Sequence, residues 1–233
     1  MSKIYLSPST QEGNQYAGGT TGYTDSEEYW MRKVAFPVAD LLRSAGHSVK
    51  VGGTYSLNQN CDEANVWMGA NGHYYALHTN AGGGHGTETW YFTGSVDGAK
   101  MAKALHLRVS TESNQPDRGV KDSTYYGELR LPKSPSVICE LLFHDNPTEA
   151  QEMRDDWTKF VMAITLGILD HVGGSIPVAE PCWQACEHMR EHEINSAKAS
   201  ATARGNTIRF YKTAVSLPAA SVGSWQQWPP SQA

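Results

Sequence analysis

Residues 136–147 read "SVICELLFHDNP". The run 136–143 is apolar and partly β-branched, with the length of a buried strand, and Pro147 or Thr148 marks the start of a helix. Two residues in this stretch do nothing for a core. Glu140 places a carboxylate inside an apolar strand, which is costly unless a cation, a metal or several hydrogen bonds offset it. His144 follows four residues later, where the strand ends.

Working outward, the pattern repeats. Residues 148–172 form a long helix closed by Gly173–Gly174. Upstream, residues 98–113 read as a helix, with Met101, Ala104, Leu105 and Val109 on one side. "YYALHT" and "GTETWYF" read as strands around a glycine-rich turn, and 58–71 as a helix. "SEEYWMRKVAFPVADLLRSAG" is a helix capped near Ser26, with Glu27 and Glu28 in its first turn and a break or kink expected at Pro37. "HSVKVG" and residues 3–6 are two more strands. Strands alternating with helices predict an α/β domain with a central, mostly parallel sheet flanked by helices. Sites in such sheets form at the carboxyl ends of the strands. The polar groups expected there are Ser7 and its loop, His78-Thr79-Asn80, and Glu140 with His144.

The chain has 233 residues, of which 39% are hydrophobic and 18% charged, so it can bury a core. The formal net charge of −5 argues against nucleic-acid binding through phosphate neutralisation. The longest apolar run, "FVMAITLGIL", is too short for a membrane span, and no membrane insertion is expected. The first residues lack the apolar stretch of a signal peptide, so the expectation is a cytoplasmic protein with reduced thiols. The layout expected is a catalytic domain over residues 1–174, a linker over 175–181 and a small helical module over 182–233. The helices of that module are expected at "CWQACEHMREHEI" and "TARGNTIRFYKT". Cys182, Cys186, His188 and His192 leave a structural metal site in the module open.

Glu27, His78 and Glu140 each have an ordinary reading when taken alone. Glu27 suits a helix start, His78 a turn, and Glu140 an ion pair with Arg118 or Lys121. Together they suggest a hydrolytic zinc site. Zinc accepts imidazole nitrogen and carboxylate oxygen, and a carboxylate that is not a ligand can take the proton from water.

"TDSEEYWMRKVA", "YYALHTNAGGGHGTETWYF", "DRGVK" and "SVICELLFHDNP" resemble, in order and over residues 3–172, the zinc-dependent N-acetylmuramoyl-L-alanine amidases of the type-3 family. The resemblance implies cleavage of peptidoglycan between muramic acid and the first L-alanine of the stem peptide. By that match Glu27 and His78 are zinc ligands, Glu140 is the catalytic base, and Asn80 and Arg118 contact the muropeptide. The family's opening Asp-Pro-Gly-His-Gly-Gly block is replaced by "SPSTQEG", with Thr10 at the position of the first histidine ligand. The third ligand is assigned to His144, with His85 or an oxygen from the loop over 7–14 as alternatives. "SPS" and "FHDN" are similar to phage and clostridial members. With no signal peptide, a phage endolysin is implied, held in the host cytoplasm until lysis and then acting on the wall. The partner is peptidoglycan, and the terminal module is expected to bind wall or to self-associate into a homo-oligomer.

Overall fold

A computed structural model describes residues 1–176 and, beyond them, two short paired strands, Thr207–Ile208 and Gln227–Trp228. The element order in the first part is β1 (Lys3–Pro8), α1 (Glu27–Ser44), β2 (Ser48–Val51), α2 (Leu57–Met68), β3 (Gly72–Asn80), β4 (Thr87–Phe92), α3 (Val96–Glu112), β5 (Asp117–Ser123), α4 (Gly127–Arg130), β6 (Ser136–Phe143) and α5 (Pro147–Val172). The six strands form one sheet in the order β2-β1-β3-β6-β4-β5. Neighbours run parallel except β4 and β6, which are antiparallel. The expected α/β class and mostly parallel sheet are therefore present.

The antiparallel step has a local cause. Only residues 81–86 separate β3 from β4. A parallel return needs a crossover of a dozen or more residues, so β4 must come back the other way. That reversal places the start of β4, rather than its end, beside the carboxyl ends of β3 and β6. Glu88 is thereby set opposite Glu140.

Helices cover both faces. The larger core lies between the sheet and α1, α3 and α5, around Leu6, Met31, Val34, Tyr75, Leu77, Leu105, Cys139, Phe160 and Ile164. The smaller lies under α2 and α4, around Tyr5, Cys61, Ala64, Tyr74, Ala76, Leu129 and Ile138. The alternation of a strand explains the division: Tyr75 and Leu77 face one side of β3, Tyr74 and Ala76 the other.

Three expectations are corrected. Pro37 is buried inside α1, and the helix continues through it without the expected break; the helix that does leave helical geometry is α5, at Asp156. β5 was not expected, because "DRGVKDS" is polar and lies at the sheet edge. Thr207–Ile208, inside the expected second tail helix, is a strand. The remainder of the linker and module, including Cys182, Cys186, His188 and His192, lies outside the described residues.

Candidate active site

The carboxyl ends of β1, β3 and β6 lie side by side, and the acidic groups gather there. His78 lies two residues before the end of β3, on the side of the smaller core. Its Nδ1 is 3.0 Å from Glu27 Oε1, and its Nε2 is 2.6 Å from Glu128 Oε2. Glu27 is fully buried at the first position of α1, whose N-cap, Ser26, accepts from the Tyr29 N–H. Glu27 also accepts from the Thr79 N–H at 3.1 Å and from the Asn14 side-chain amide at 2.6 Å. Glu128 Oε1 accepts from the hydroxyls of Ser7 and Tyr74, both at 2.7 Å.

These bonds decide the electrostatics. Burial alone would disfavour each charge, but the hydrogen bonds and the opposite charges outweigh it. The two carboxylates are held below their usual range and the His78 imidazole well above its own.

Glu140 sits directly across from His78 in the strand register. Its Oε2 is buried without a hydrogen bond. The cations that could have neutralised it go elsewhere. Arg118 Nε and Lys121 Nζ bind Glu88 Oε2 at 2.7 and 2.5 Å, and the Asn80 amide donates to Glu88 Oε1 at 2.9 Å. Burial first, then the carboxylates of Glu27, Glu88 and Glu128, push Glu140 up to about 7 despite the opposing pull of His78. A carboxylate with that value is suited to move protons at neutral pH.

The structure thus brings Glu27, His78 and Glu140 together, and sets Asn80 and Arg118 around the neighbouring Glu88. It does not bring His144 to them. Thr79 points to the opposite face of β3 from His78, and His144 packs with Thr79. Its Nδ1 is 3.2 Å from both the Thr79 carbonyl and the Thr79 hydroxyl, and its ring stacks on Tyr16 at 5.8 Å. The expected third ligand is corrected for that reason: His144 lies behind the sheet, where it anchors the Tyr16 segment. His85 contributes its backbone carbonyl to Arg118 at 3.4 Å. Among the described residues, no third His, Cys, Asp or Glu joins Glu27 and His78 with all three ligand atoms within 4.8 Å. In the loop over 7–14, Asn14 is the residue that reaches Glu27.

Glu128 and Glu88 were not singled out from the sequence. Glu128 lies in a helix of four residues, fifty positions from His78, and no periodicity marks it. Glu88 stands between Thr87 and Thr89, ahead of the apolar part of "GTETWYF", and so raised no conflict like that of Glu140.

Glu27 and His78 are donors of the zinc type, here joined to each other as an ion pair. A carboxylate oxygen and an imidazole nitrogen 3.0 Å apart approach the edge of roughly 3.3 Å expected between ligands bonded at about 2.0–2.1 Å. The unpartnered Glu140 oxygen and the converging carboxylates make the neighbourhood electronegative.

Comparison with known proteins agrees with this architecture. The family model described as N-acetylmuramoyl-L-alanine amidase matches residues 8–170. The N-acetylmuramoyl-L-alanine amidase CwlM of Bacillus licheniformis is 26% identical over 177 residues, covering 72% of this chain; the match spans 66% of that relative's length. The catalytic domain of CwlV, an N-acetylmuramoyl-L-alanine amidase from Bacillus (Paenibacillus) polymyxa var. colistinus, superposes with a TM-score of 0.62 at 19% identity, covering 75% of this chain and all of that one. An N-acetylmuramoyl-L-alanine amidase from Clostridium difficile 630 gives 0.63 at 21% identity, covering 73% of this chain and 96% of that one. With the match running from the end of β1 into α5, across every element that builds the site, the chain belongs to the N-acetylmuramoyl-L-alanine amidase family.

Proposed function

We propose that this protein is a zinc-dependent peptidoglycan hydrolase that cleaves the amide between N-acetylmuramic acid and L-alanine. The observation that carries the reading is Glu140: a carboxylate within β6, across from the His78–Glu27 pair, with no cation of its own. Family membership supplies the substrate class. Glu27 and His78 would hold the zinc, with Asn14 as the adjacent polar group. When bound, zinc polarises the scissile carbonyl and offsets the negative charge that develops on its oxygen.

The chain's own residues do the rest. Glu140 takes the proton from the attacking water and delivers it to the leaving amine of L-alanine. Arg118 and Lys121 keep Glu88 ionised, and that charge in turn raises Glu140. Asn80 and Arg118 lie at the rim, where a muropeptide would pass. A role in phage-driven host lysis is part of the same proposal, supported by the likeness of "SPS" and "FHDN" to phage members.

Digestion of purified cell walls tests it. Free L-alanine amino groups should accumulate without new reducing sugar ends, and Glu140→Gln should reduce the rate at least about a hundredfold while metal content is kept. Fresh reducing ends, or a Glu140→Gln variant of normal rate, would overturn the reading.

A further inference from the structure

At the other end of β3, three side chains from three elements converge. His73 is the second residue of β3, Asp97 stands in the first turn of α3, and His171 in the last turn of α5. One ligand atom from each lies within 4.8 Å of the other two. His73 Nε2 and His171 Nε2 approach the same oxygen, Asp97 Oδ2, at 3.8 and 3.7 Å. The two rings meet edge to face with centroids 5.0 Å apart. Five residue steps along the strand separate His73 from His78, about 16 Å at roughly 3.3 Å per step, so this cluster is separate from the candidate active site.

Neither hydrogen bonding nor ion pairing accounts for the arrangement. Both approaches to Asp97 exceed hydrogen-bond length. Burial, joined at His73 by the neighbouring His171, lowers both imidazoles below their ordinary range, and Asp97 does not reverse this. Each ring therefore offers a lone pair at neutral pH. Two imidazole nitrogens and one carboxylate oxygen are a donor set for zinc and related divalent ions. Their present spacing exceeds the roughly 3.3 Å ligand edge of a tetrahedral zinc by a few tenths of an ångström to somewhat over one, within reach of small side-chain rotations. The Asp97 side chain is 46% exposed and gives the ion a route from solvent. His47, at the same corner, is already engaged: its Nε2 is 3.0 Å from the Gly173 carbonyl.

We propose that His73, Asp97 and His171 form a second divalent-metal site of the zinc class, which clips the end of α5 to the starts of β3 and α3. The clip would fasten the last helix of the domain immediately before Gly173–Gly174.

The test uses the full chain, stripped of metal and titrated with Zn²⁺ alone, with bound equivalents counted by elemental analysis. Asp97→Asn and the double variant His73→Gln/His171→Gln should each bind one equivalent fewer than the unmodified protein. In the Glu27→Gln/His78→Gln background, a hundredfold excess of zinc over Kd should still raise the melting temperature by about 5 °C or more, and adding Asp97→Asn should abolish that rise. Should the double histidine variant fail to fold, Asp97→Asn carries the test, because its side chain is exposed and Asn keeps its shape. Unchanged stoichiometry in Asp97→Asn, or a zinc-induced rise that survives it, would overturn the proposal.

Discussion

At the scale of single residues, the site depends on which carboxylate receives which partner. Glu88 takes both nearby cations, Glu27 and Glu128 share one imidazole, and Glu140 is left with a buried oxygen that nothing neutralises. The sign of its pH effect follows. A base works only when deprotonated, so activity should rise with pH through the Glu140 pKa. Without a metal that value is about 7, and a bound cation can only favour the charged form. The acid limb of kcat/KM in zinc-saturated protein is therefore expected at or below about 7; a limb centred above 8 would rule Glu140 out. Glu128 acts one step back. By accepting at His78 Nε2 it directs Nδ1 toward Glu27, as an outer carboxylate orients a ligating histidine. Glu128→Gln is expected to weaken zinc binding roughly 10- to 100-fold, measured by competition with a chromophoric chelator, while far-UV circular dichroism stays the same.

At the scale of elements, the long loop between β1 and α1 must be held still, because it carries Asn14 and ends at Glu27. Asp25 and Arg154 do this. Arg154 on α5 pairs with Asp25 at 2.7 Å and donates to the Tyr16 and Ala17 carbonyls, while the Trp30 indole donates to Asp25. The Ala17 N–H donates to the His144 carbonyl, so β6 and α5 jointly pin the loop. On the far side of the site, the Gly82 and Gly83 N–H groups bind Asp145, with positive φ values that glycine adopts without strain. Arg154→Ala would leave a largely buried carboxylate unpaired. It should cost about 3 kcal/mol in chemical denaturation and lower zinc affinity as Glu27 loses its fixed position. A variant as stable as the parent would show that the pair does not anchor the loop.

At the scale of the whole molecule, one sheet gathers the site, to which α1 and α4 add Glu27 and Glu128. β1 brings Ser7, β3 brings His78, β6 brings Glu140, and the reversed β4 brings Glu88 to the same end. The charge on Glu140, which burial and the neighbouring carboxylates disfavour, costs stability that a divalent cation would return. In the Asp97→Asn background, removing zinc with a chelator should lower the melting temperature by about 5–10 °C if zinc had been present at a hundredfold excess over Kd; no shift would remove the metal from the proposed function. Much of this was legible in the chain. The glutamate inside "SVICELLF" is a local conflict between a residue and its element, whereas Glu27 at a helix start and His78 near the end of "YYALHT" suit their elements and stood out only in combination with it. Glu128 raised no such conflict, and β5 showed no alternation to betray it. His144 did raise a conflict, but adjacency in sequence could not say which face of the sheet it serves. The sequence by itself determined the α/β class, because burial and periodicity act locally, and it pointed to Glu27, His78 and Glu140 as one group, which the fold brings together. Only the tertiary structure decided that Glu128 rather than His144 meets His78, because pairing across a sheet depends on strand register and on the side each side chain takes.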